Sequence, residues 1–116
     1  MNTDDAKKLA NELMDTHLGL NRDWVFRFDN ANKRFGCCRY GDRTITLSRN
    51  LTEVNALTEV KNTILHEIAH ALAGRAAGHG PTWQAIARRI GSDGKRCYSN
   101  ATVQPSKGTI FKADLI

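Results

Sequence analysis

Cysteine is scarce in this 116-residue chain, and its three copies are poorly placed for cross-linking, since the count is odd and Cys37 and Cys38 are neighbours. Adjacent cysteines rarely pair with each other, so the set makes a poor disulfide framework and a reducing compartment is the expectation. Long apolar runs are also missing: nothing approaches the roughly 18 residues that a membrane span requires. The opening Met1-Asn2-Thr3-Asp4-Asp5 has neither the basic start nor the apolar stretch of a secretory signal. The sequence therefore reads as soluble and not secreted, cytoplasmic or, in a eukaryote, nuclear, with no membrane partner. Two full domains are excluded by length alone.

What remains is an ordinary globular composition, 41% hydrophobic and 25% charged, with 9 Gly and 2 Pro. A chain of this size builds one real core with little surplus stability, so a bound metal that adds folding energy would matter. Seventeen Lys and Arg against twelve Asp and Glu leave a net charge of +5. The excess is concentrated in residues 22–50 (+4) and 71–116 (+5), a distribution that permits an anionic partner but also describes plain solubility.

Residues 4–18 place Ala6, Leu9, Ala10, Leu13 and Met14 at helical spacing, with Thr3 as the expected cap and an end near Gly19. His17 falls in the last turn of this helix, where an imidazolium interacts favourably with the dipole, and it is read as a structural bystander. From Trp24 the period becomes two. Residues 24–28, 35–40 and 44–48 read as three strands separated by turn residues, and their spacing predicts a small antiparallel meander. Successive strand residues point to opposite faces, so one of Cys37 and Cys38 is expected inside and the other outside.

The next helix is expected to start at Asn50 or Thr52 and to run unbroken through Leu57, Val60, Ile64, Leu65, Ile68, Ala71 and Leu72. Within it lies His66-Glu67-Ile68-Ala69-His70. Histidines four apart stand on one helix face and can grip one ion, and a carboxylate just after the first is placed to take a proton from the attacking water without itself binding metal. At this composition the pattern is expected by chance about 0.005 times, so coincidence is a poor explanation. Both histidines lie away from the apolar stripe formed by Leu57, Val60, Ile64, Ile68 and Ala71. A catalytic zinc usually takes a third protein ligand and leaves a fourth position open. His79, in Gly78-His79-Gly80-Pro81, is the candidate, because glycine allows the chain to reverse and Pro81 suits the first turn of a new helix. That helix carries Trp83, Ile86, Ala87 and Ile90 at core spacing and ends at Gly91. The spacing of the metzincins is absent.

The segment HEIAHALAGRAAGHGPTWQAIARRIG, residues 66–91, resembles the SprT-like (Spartan-type) zinc metallopeptidases, most strongly in His66, Glu67, His70 and the Gly-His-Gly-Pro turn. The likeness extends over residues 5–92. It implies an α+β fold with a zincin-like minimal metallopeptidase core: an N-terminal helix, a small antiparallel sheet, the metal-binding helix and a C-terminal packing helix. It implies further one Zn2+ ion on His66, His70 and His79, Glu67 as general base, and protein substrates that in better-known members are attached to DNA. Residues 1–92 would form this domain. Residues 93–116 would be a basic tail, either trimmed or naturally short, with a strand at 108–111. Many relatives continue into a zinc ribbon, but here Cys97 stands without a C-x-x-C partner.

Arg75, Arg88, Arg89, Lys95 and Arg96 are the candidate contacts to DNA backbone phosphates, without base reading. Tyr40, Tyr98 and the arginines are candidates to stabilise the oxyanion, and an extended peptide substrate could add to an exposed sheet edge. A monomer is expected. Two other readings stay open: a non-catalytic nucleic-acid module with a structural zinc, and a metallohydrolase acting on other bonds.

Overall fold

A computed structural model of the chain describes residues 1–95. Helix α1 spans Thr3–Leu18 and buries Ala6, Ala10 and Met14, one residue per turn. Its cap is Asn2 rather than Thr3. The Asn2 side-chain oxygen accepts from the backbone N–H groups of Asp4 at 2.7 Å and Asp5 at 3.2 Å, while Thr3 is already the first helical residue.

Three strands follow, β1 (Val25–Asp29), β2 (Gly36–Arg39) and β3 (Thr44–Ser48), in the order β1-β3-β2. The expected antiparallel meander is half right. β2 and β3 form an antiparallel hairpin, but β1 lies on the other side of β3 and runs parallel to it. The cause lies in residues 29–35, which wrap the end of β3 instead of turning back on β1. The Thr46 hydroxyl donates to the Asp29 carboxylate at 2.7 Å, the Ser48 hydroxyl to the Ala31 carbonyl at 2.6 Å, and the Ser48 N–H to the Phe35 carbonyl at 2.7 Å. These bonds carry the chain across the sheet, so β3 becomes its centre and is buried along its whole length.

Cys37 and Cys38 do not divide into one buried and one exposed residue, since both are half-buried. β2 is an edge strand packed against a later helix, and burial raises the pKa of the Cys37 thiol from its usual value.

The single long helix expected after the sheet is two helices. α2 (Arg49–Val54) starts from Ser48, whose hydroxyl accepts from the Leu51 N–H at 3.0 Å, and α3 (Leu57–Ala73) follows after a break at Asn55. Asn55 is extended, with its side-chain amide bonded to the Leu51 carbonyl at 2.8 Å and its N–H to that of Thr52 at 3.3 Å. An asparagine that binds the preceding turn in this way offers the backbone an alternative to helix. Leu57, counted with the apolar stripe, is exposed at the first turn of α3.

α3 runs between two apolar clusters. Val60, Ile64, Leu65 and Ile68 join α1 and the sheet in the larger one, while Ala69 packs with Trp83 and Ala87 in the smaller. The second belongs to α4 (Pro81–Ile90), which begins with proline and ends at Gly91 in the left-handed conformation, as its sequence predicts. A 3-10 turn, Arg75–Ala77, links α3 to α4. Among the described residues the fold is thus α+β, four α-helices with one small mixed sheet, and no helix there is long and apolar enough to cross a membrane.

Candidate metal centre

His66 and His70 project from successive turns of α3 towards α4, their ring centroids 5.0 Å apart. They do face away from the apolar stripe, yet they are not solvated: His66 is 1% and His70 8% exposed, because α4 covers that side. His79 arrives from the connection. Gly74 closes α3 at φ 91°, the 3-10 turn follows, Gly78 takes φ 52° and the Gly80 N–H bonds the Ala77 carbonyl at 2.9 Å. The reversal needs these left-handed positions, which glycine takes without a steric penalty.

The result is convergence of ring nitrogens. The Nε2 atoms of His70 and His79 are 3.0 Å apart and those of His79 and His66 3.2 Å, and the three residues form a group with every ligand atom within 4.8 Å of the others. Three nitrogens about 2.0–2.1 Å from one tetrahedral ion would lie about 3.4 Å apart, close to the observed spacing. Burial, reinforced by the neighbouring imidazoles, lowers the pKa of His66 to about 3 and of His70 to about 4. Both rings are therefore neutral near pH 7 and present lone pairs, the form in which histidine binds metal. The donor set fits a zinc ion.

Trp83 holds this group from behind. It is fully buried, its ring centroid lies 4.7, 5.2 and 4.8 Å from those of His66, His70 and His79, and it stacks on His70. Its indole N–H donates to the His66 carbonyl at 3.3 Å. The core role expected for Trp83 is correct, and the ring that fills the core is also the surface against which all three imidazoles rest.

Glu67, directly after His66, lies beside β2 and is 1% exposed. A side chain on Gly36 would come within 3.1 Å of the Glu67 Cγ and Oε2 atoms and 2.9 Å of the Thr63 methyl. The bare backbone at position 36 is what lets the edge strand pass over the carboxylate. Sequence reasoning did not single out Gly36, although a lone glycine opening a strand is a recognisable sign of close backbone approach.

Beyond it on the same strand, burial first and the Glu67 charge second lift the Cys38 thiol to about 12. Tyr40 is also lifted to about 12, by burial and then by Cys38, and remains protonated. Its hydroxyl donates to the His70 carbonyl at 3.2 Å, and the Arg75 guanidinium sits 5.3 Å from its ring centre. Tyr40 thus ties the strand that carries Cys38 to the end of α3 beside His70.

The family model for SprT-like proteins matches residues 6–104. The chain belongs to the SprT-like family. Comparisons with curated proteins and with solved structures return no match.

The remaining candidates of this SprT-like chain are spread out. Arg88 and Arg89 are both exposed in the last turn of α4, Lys95 is exposed beyond it, and Arg75 is exposed on the 3-10 turn. Arg96, Cys97, Tyr98 and the strand expected at 108–111 lie outside the described residues. His17 stands apart from the metal group, and burial lowers its pKa, which opposes the charged form that a helix C-terminus would favour.

Proposed function

We propose that this SprT-like domain is a zinc-dependent metallopeptidase that cleaves proteins on or crosslinked to DNA. The observation that carries the reading is the convergence of three ring nitrogens from His66, His70 and His79, with a buried glutamate directly after the first. Zinc held by these residues supplies Lewis-acid polarisation of the scissile carbonyl and makes a water acidic near neutral pH. Glu67 takes the proton of the attacking water and returns it to the leaving amine. Trp83 and Tyr40 keep the imidazoles oriented, one by ring packing and the other through the His70 carbonyl. Arg75, Arg88, Arg89 and Lys95 are exposed cations able to hold backbone phosphates without reading bases, with Arg96 as a further contact.

The deciding experiment incubates the zinc-loaded protein with a protein–DNA crosslink and with free protein, beside Glu67→Gln. This variant keeps the side-chain size and every candidate ligand but cannot accept the proton. Turnover should fall by about 100-fold or more while zinc content stays constant. Equal cleavage by both proteins removes Glu67 from the mechanism. A second reading, a non-catalytic DNA-associated module with structural zinc, draws on the burial of the histidines in the packing around Trp83. It predicts zinc without cleavage of either substrate.

A further inference from the structure

Where α1, the outer strand β1 and the start of α2 meet, Lys7, Phe26, Arg27, Phe28 and Arg49 line an open groove of about 310 Å³. Lys7, Arg27 and Arg49 are exposed, and among the described residues none of the three is in an ion pair. Other arginines of the same half, Arg22, Arg34, Arg39 and Arg43, each have an aspartate partner. No lining residue is acidic. Three uncompensated cations around one concavity form a field that attracts an anion.

The aromatic residues narrow the class of anion. Phe26 and Phe28 are half-buried and lean on the main core, so their rings are fixed in place. They meet edge to face with centroids 5.0 Å apart, and the Arg49 guanidinium lies 4.8 Å from the centre of Phe28. Ring and guanidinium planes interleaved with cations are the surface on which unpaired bases stack while phosphates are neutralised. An acidic peptide would satisfy the cations and leave the rings without a role. A duplex keeps its base faces stacked away from such a platform. The volume, at the low end of the roughly 300–1,000 Å³ of small-ligand sites, suits one nucleotide unit.

We infer that this groove binds single-stranded nucleic acid, with phosphates on Lys7, Arg27 and Arg49 and a base against the platform of Phe26, Phe28 and Arg49. The site shares no residue with the metal centre or with the candidate contacts on α4, and it stands or falls independently of peptidase activity.

Fluorescence anisotropy of a labelled twelve-nucleotide thymidine oligomer on the zinc-loaded full chain tests it. The triple variant Lys7→Glu, Arg27→Glu, Arg49→Glu changes only exposed side chains, and its thermal melt shows whether the fold persists. It should bind at least about tenfold more weakly, with the log K against log salt slope flattened by about 2, three contacts at about 0.7 each. Lys33→Glu with Lys61→Glu, exposed cations outside both the groove and the α4 contacts, should leave the affinity within about twofold. Phe26→Leu keeps an apolar side chain in the core and removes the ring. It should weaken the oligomer by about fivefold or more and leave an abasic strand of equal length unaffected.

Wild-type affinity in the triple variant overturns the inference, as does absence of binding at low salt. Equal competition by polyaspartate at matched charge would assign the groove to acidic polypeptides instead. Unchanged affinity in Phe26→Leu would remove the base from the site.

Discussion

The two sides of α3 are built on different principles. On one, Val60, Ile64 and Ile68 meet α1 and the sheet in a cluster of eleven buried residues, which needs nothing but apolar contact. On the other, Ala69, Trp83 and Ala87 form a cluster of three, and the space beside it is filled by imidazoles. Burying two polar rings and half-burying a third against one indole is a poor source of stability unless their nitrogens are occupied. α4 is thus held to the body by few apolar residues and by whatever joins the histidines, while the α1 side is held by apolar contact alone.

Truncation breaks the comparison most sharply. Trp83→Ala should destabilise the protein by about 3–5 kcal/mol in urea unfolding and lower zinc affinity as well, because the same ring fills the small cluster and backs all three histidines. Ile64→Ala, in the large cluster, should cost about 2–5 kcal/mol and leave zinc affinity unchanged. If both variants shift zinc affinity alike, the two sides are not separable.

Next in size is loss of the third ligand. His79→Ala should reduce zinc affinity by about 100-fold or more and raise hydrogen exchange in α4, with α1 protected as before. Undiminished affinity would point to another ligand, with Cys97 the first to examine.

A smaller effect belongs to Gly36→Ala. The added methyl would press on Thr63 and Glu67, so a loss of about 1–3 kcal/mol is expected, with catalysis reduced more than zinc affinity.

The histidine side should also respond to pH, which the apolar side does not. In metal-free protein the folded pKa values of His66 and His70 lie at about 3 and about 4, below the ordinary 6.5. Between those limits the unfolded chain binds more protons, so stability is full above about pH 6.5 and declines as pH falls towards 4. Urea midpoints measured across this range should show the decline, and one independent of pH would show that these rings are solvated in the free protein.

The local parts of this architecture were legible in the sequence. His66, Glu67 and His70 share a helix whose period fixes their relation, Pro81 and Gly91 mark the ends of α4, and the Gly-His-Gly-Pro turn indicates a reversal. What escaped depends on residues distant in sequence or on single side-chain bonds. Strand alternation shows which residues share a face but not which strand is the neighbour, so the parallel pairing of β1 with β3 could not be read. The break at Asn55 depends on one amide bonded to Leu51, and the place of Gly36 on a helix thirty residues further along the chain. The burial of His66 was missed because the helix that covers it comes later in the sequence.

The shortness of the turn that brings His79 home has a thermodynamic consequence. His66 and His79 are only 13 positions apart, so an ion joining them closes a small loop, at a low entropic cost even in a chain with no other structure. A denatured SprT-like chain can therefore retain some zinc. Ligand linkage then stabilises the native state only by the difference between folded and unfolded affinities, less than the folded-state affinity alone would predict. The same locality makes an α3-turn-α4 hairpin clasped by zinc a natural early structure in folding, onto which the slower, long-range pairing of β1 with β3 is added.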